Sequence, residues 1–166
     1  MSGPNVAQDD SGRQILPSLN LKAFREWAAI LSIGAVVVHA LDAQGHLTEW
    51  WGFAAYFVTA AAFQFFYGFG LLLRPWAYDG TGGLRENPDR HGRPYYILGL
   101  VLSGSIVVLY IITRTTGMPF LGKGAGIQPV TVLGLLPIVE NVPLIYCLEE
   151  LLRRTRHQPA PALQAH

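Results

Sequence analysis

The chain has 166 residues, of which 51% are hydrophobic and only 14% charged. Soluble domains carry roughly a quarter of their residues as charges, so the composition excludes an ordinary water-soluble domain and points to lipid as the solvent. A formal net charge of +1 argues against nucleic acid as a partner, and the single cysteine, Cys147, excludes an internal disulfide.

The opening "MSGPNVAQDDSGRQ" holds two aspartates and lacks the basic start and apolar core of a cleavable signal, so the first apolar helix is expected to serve as its own insertion signal. Residues 1–19 read as a polar, disordered segment. Four apolar runs follow, at about 24–41, 50–73, 95–113 and 130–148. Each approaches the ~20 residues that a helix needs to cross a hydrocarbon core. The expected fold is therefore all-α, a four-transmembrane-helix bundle over residues 20–152, with a disordered tail over 153–166. The connectors "DAQGHLTE", "RPWAYDGTGGLRENPDRHGRP" and "RTTGMPFLGKGAGIQP" are rich in glycine, proline and charge, as loops are.

Basic residues give the orientation. Ten of the twelve lysines and arginines fall before the first run, in the second connector or after the fourth run; only Arg114 and Lys123 fall on the other side. The bias predicts both termini in the cytoplasm. The first and third connectors then face outward.

The first connector carries the candidate chemistry. His39, Asp42, His46 and Glu49 are spaced by three, four and three, which places all four on one stripe if the first helix extends outward. Imidazole with carboxylate suits copper, iron or zinc better than calcium or magnesium. Seven helical residues rise about 10.5 Å, so His39 and His46 can share an ion only if the chain folds back, and Gly45 offers a break. A solvated loop accounts equally well for Asp42 and His46. His39 follows "AVVV" inside the span, where polar groups are costly and tend to be functional.

A second polar feature is "PIVENVP". Glu140 and Asn141 lie in the middle of the fourth run, roughly 15 Å from either end, between Pro137 and Pro143. Gln64 and Tyr67 reach a similar depth on the second run, and a Gln64–Glu140 hydrogen bond is expected. The prolines free the carbonyls of residues 133 and 139 to face a polar cavity. Glu140, Gln64, Tyr67 and Asn141 thus form a candidate proton or polar path, or simply the polar contacts that join membrane helices. Arg114 ends the third run and is expected to hold Glu49 or Asp42, or to reach the headgroups. Trp50 and Trp51 suit the interfacial aromatic belt, while Gly99, Ser103 and the alanines of the second run permit close helix approach. No serine-hydrolase, zinc-protease or dinucleotide motif is present. Haem is the less favoured cofactor, because of five histidines only His39 lies within a span.

The stretches "HALDAQGHLTEWWGFAAYFVTAAAFQFFYGFGLLLRP" and "YYILGLVLSGSIVVLYIITRTTGMPF", with the later "VEN", resemble a group of small bacterial four-helix membrane proteins. The resemblance covers nearly all of the chain. It implies a four-helix fold in a bacterial plasma membrane, marks His39, His46, Glu49, Gln64, Arg114 and Glu140, and brings no activity with it. The expected function is an outward-facing site for a transition-metal ion or protons, accessory to a redox or transport complex. The alternatives are a structural subunit of a membrane complex and a small dimeric proton-coupled transporter. The expected partners are the bilayer and other membrane subunits or a second copy.

Overall fold

A computed structural model describes residues 11–46, 51–117, 126–127, 130 and 132–156, with side chains from residue 21 onward except at 45, 46 and 133. The protein is helical. Helix α1 spans Ser11–His46, α2 Trp51–Leu73, α3 Pro88–His91, α4 Arg93–Thr115 and α5 Val132–Arg156; a short 3-10 turn, Pro75–Ala77, follows α2. Three stretches among the described residues are long and apolar enough to cross a membrane: Leu21–Gln44, Trp51–Ala77 and Arg93–Thr115. The chain is thus a helical membrane protein with three candidate spans. Helix α5 stands where the fourth run was expected. It is not among those three stretches.

Three boundaries differ from expectation, one of them at α5, which runs to Arg156 and so into the 153–166 segment expected to be a disordered tail. Helix α1 begins at Ser11 rather than near residue 20, leaving residues 1–10 outside the described residues. Ile15, Leu16 and Leu19 continue the helical apolar spacing, and extending an existing helix is far easier than starting one. Helix α1 also runs without a break through Gly45 to His46. Glycine weakens a helix by only about 1 kcal/mol, which the preceding turns withstand.

Helix α2 ends at Leu73, just ahead of Pro75, whose nitrogen has no hydrogen to continue the ladder. Arg74 takes the left-handed conformation at φ 53°, with its amide donating to the Gly70 carbonyl at 2.9 Å. Asn87 does the same at φ 55° before Pro88 opens α3. These turns bring the start of α4 back against the end of α2.

Helix α1 packs on α2 and on α5, and α5 packs on α4. The row therefore runs α2–α1–α5–α4, and the outer members meet through side chains: Tyr67 of α2 stacks on Tyr95 of α4 at 4.8 Å. Arg25, Arg74, Asp89 and Arg154 gather at one end, since Arg25 and Arg74 both reach Asp89 and Arg154 lies over the Phe24 ring. We call this the basic end and the opposite one, where α1 finishes, the histidine end. The main apolar cluster, with Leu21, Leu71, Tyr96, Leu148 and Leu151, fills the half nearer the basic end. Cys147 is a buried free thiol, as its apolar setting predicts. Gly68 allows α1 and α2 to approach closely. A Cβ at Gly68 would lie 2.7 Å from Ile33 Cγ1 and 3.2 Å from the Ala29 carbonyl.

Candidate functional site

Helix α1 carries one polar stripe. Ser32 and His39, seven residues apart, point to nearly the same side, and both are completely buried. The Ser32 hydroxyl donates to the Gln64 carbonyl at 2.9 Å, which fixes this stripe against α2. Near the histidine end the His39 imidazole stacks on Phe57 at 5.8 Å between centroids. Neither ring nitrogen has a hydrogen-bond partner among the described residues. An imidazole shut away from water with both nitrogens idle carries a desolvation cost of about 1–3 kcal/mol or more.

One turn beyond His39, Asp42 is half-buried. It stands three residues from His39 and four from His46, so each histidine is its neighbour on the unbroken helix. The continuous helix corrects one expectation: with no fold-back at Gly45, His39 and His46 remain about 10.5 Å apart along the axis and do not share a single ion. The His46 side chain and Glu49 lie outside the described residues. No three His, Cys, Asp or Glu side chains come together among the described residues.

In mid-bundle, Gln64 Nε2 donates to Asn141 Oδ1 at 3.1 Å, and Asn141 Nδ2 donates to the Pro137 carbonyl at 2.7 Å. Ser32, Gln64 and Asn141 thereby join α1, α2 and α5. The expected partner of Gln64 was Glu140, and the structure places the neighbouring residue there instead. Adjacent residues on a helix point roughly 100° apart, so only one of the pair can face α2. Asn141 is buried, whereas Glu140 is half-buried against α1: its Oε1 would lie 3.6 Å from a Cβ at Gly34, and its Oε2 has no partner among the described residues. Gly34 and His39 are five residues apart, hence roughly 140° apart around α1. No hydrogen bond or ion pair joins His39 to Glu140, and the two occupy different faces. The Asn141 amide bonds to Pro137, not to the carbonyls at 133 and 139 that the prolines free.

Tyr67 closes the gap between α2 and α4 more than it extends a polar path, with its hydroxyl donating to the Tyr95 carbonyl at 3.2 Å. Arg114, at the histidine end of α4, lies over the Tyr110 ring at 5.0 Å, and its Nε has no partner among the described residues.

Sequence reasoning missed the basic-end lock. Arg25 is buried, and its Nη1 donates to Asp89 Oδ1 at 2.9 Å; Arg74 Nη2 reaches the same oxygen at 3.0 Å. The arginines were legible only as topogenic charges, and Asp89 among them was the available clue. Comparison with protein-family models, curated proteins and solved structures finds no match to this chain.

Proposed function

We propose that this is a four-helix protein of a bacterial plasma membrane, with both termini cytoplasmic, that takes up a transition-metal ion at its outer, histidine end. Asp42 would be the central ligand, shared with His39 below it or with His46 above, and Glu49 would complete the outer set. Copper, zinc or iron suits these donors. The observation that supports the reading is His39, fully enclosed with two idle nitrogens one turn from a carboxylate. A bound cation, or a proton handed on from Asp42, would give the imidazole the partner it lacks.

Metal analysis of purified protein tests this. Wild type should hold close to one equivalent of a single metal, and His39→Ala and Asp42→Asn should lose most of it. Equal, substoichiometric metal in all three would overturn the metal reading. The second reading, a subunit that only packs helices, is favoured by the Ser32–Gln64–Asn141 chain, which already satisfies much of the buried polarity of α2 and α5. On that reading Glu140→Gln and His39→Ala leave the protein's complex and its metal content unchanged.

A further inference from the structure

An acid meets α1 at mid-depth on the outer surface of the bundle. Gly34 stands 13 residues after Leu21 and 10 before Gln44, the bounds of the first candidate span, hence roughly 20 Å and 15 Å from its two ends. Glu140 of α5 lies against it, with Oε1 3.6 Å from where a Cβ at Gly34 would be. The flanks of this contact are apolar and exposed: Ile30 and Val37 on α1, one turn to either side of Gly34, and Val139 and Pro143 on α5. The carboxyl therefore sits in a surface groove between α1 and α5, at a depth where acyl chains surround the bundle.

Among the described residues no countercharge is at hand. Glu140 is half-buried; its Oε2 is enclosed without a hydrogen-bond partner, while Oε1 keeps access to the groove. Between Glu26 and His39 α1 has no ionisable residue, and His39 faces another side. From Val132 to Leu148 α5 adds only Tyr146 and Cys147, more than a turn nearer the basic end. Helix α4, on the other side of α5, has only Tyr110 between Ile97 and Thr113, and α2 has only Tyr56 and Tyr67. Hydrocarbon neither solvates an unpaired carboxylate nor supplies it with a cation. A metal ion such as sodium needs several oxygens around it, and this groove offers one carboxyl. A proton needs no more than that, and it leaves the group neutral.

We propose that Glu140 is a proton-binding site open to the acyl chains, a carboxylic acid that takes up and gives back one proton in the groove beside Gly34. The inference rests on α1 and α5 lying together in the bilayer and not on metal binding at the histidine end.

A hydrophobic carbodiimide tests it on the full chain in lipid nanodiscs, because such a reagent partitions into acyl chains and attacks protonated carboxyls. The acid's proton passes to a carbodiimide nitrogen, its oxygen bonds to the central carbon, and the adduct rearranges to an N-acylurea that retains the whole reagent. Ordinary carboxyls titrate near about pH 4, so at neutral pH they are ionised and stay unmodified. One adduct per chain is expected, mapped by mass spectrometry to Glu140, forming more slowly as pH is raised and at a rate indifferent to sodium. Glu140→Gln should form none; should that variant fail to fold, mapping on the wild-type chain decides alone. No adduct, an adduct elsewhere, or a rate unchanged by pH would each overturn the proposal. Protection by sodium would overturn it too, with a metal cation in place of the proton. Modification of Glu140 by a cationic, water-soluble carbodiimide in preference to the hydrophobic one would put the groove in water, which removes the four-span reading along with the proposal.

Discussion

Asp89 is the residue on which the basic end depends. One carboxylate oxygen receives two guanidiniums, from Arg25 on α1 and Arg74 after α2, and the side chain itself is 19% exposed. Arg74 holds a left-handed backbone conformation that is uncommon outside glycine, and its bond to Asp89 helps retain it. Asp89→Asn would leave two neighbouring cations without a counter-charge. Removing one partner of a fully buried pair costs about 3–5 kcal/mol and of an exposed pair at most about 1, so this partly buried pair should lose about 2 kcal/mol, read as a lower melting temperature in detergent. Glu150 makes a comparable clamp beyond the apolar part of α5. It accepts hydrogen bonds from Arg153 and Arg154, which hold its carboxyl well below the usual range, at about 2. An unfolded glutamate titrates near 4.3. Its stabilising contribution is therefore complete above about pH 4.5 and is lost as pH falls toward 2. Thermal melts across that window should show a decline that Glu150→Gln lacks, its stability being uniformly lower above pH 4.5.

Glycine governs how the helices meet. A Cβ at Gly99 of α4 would run into the ring and hydroxyl of Tyr67 and lie 2.8 Å from Leu148 Cδ1, whereas a Cβ at Gly104, on the same helix, would meet nothing within 4 Å. Gly99→Leu should push α4 away from α2 and α5 and cost about 2 kcal/mol or more. Gly104→Leu should be neutral or mildly stabilising, since leucine favours helix over glycine. Melting of the two variants side by side checks the pair. The sequence made Gly99 visible as a small residue in an apolar run, but it did not reveal that Tyr67 is what fills the space. That limit recurs. The apolar run at 50–73 matched α2 to within one residue, because hydropathy over twenty positions averages out local detail. The choice of Asn141 over Glu140 as the partner of Gln64 turns on a 100° rotation between neighbours, which no average retains. The short helix α3 and the 3-10 turn were hidden in a connector rich in glycine and proline, where only particular backbone angles, at Arg74 and Asn87, specify them. His39 was legible as buried because it follows "AVVV" inside the first run; its separation from Glu140 was not, since it follows from helix rotation about α1.

The whole molecule is polarised along its length. Arg25, Arg74, Arg93 and Arg153–Arg156 share one end with the lock on Asp89, and only Arg114 among the described arginines stands at the other. Helix α5 runs back from the histidine end to the basic end alongside α1, with Phe24 against Tyr146 at 6.2 Å and Arg154 over Phe24. A helix in that antiparallel position between α1 and α4 is placed to cross with them, and its polar residues do not oppose this, because Asn141 is hydrogen-bonded within the bundle and Glu140 lies against Gly34. On the proposed four-span reading, α5 would be the fourth span, with the start of α1 and the end of α5 on one side. Single cysteines in a Cys147→Ser background test it. Gly80 and Gly126 are exposed, with open space at each Cβ, and Arg156 is exposed at the end of α5. A membrane-impermeant maleimide should label Gly126→Cys in intact cells, and Gly80→Cys and Arg156→Cys only after the membrane is opened. Labelling of Arg156→Cys together with Gly126→Cys would mean that α5 does not cross. Labelling of Gly80→Cys and Arg156→Cys but not Gly126→Cys would invert the protein and place the histidine end, with the proposed metal site, in the cytoplasm.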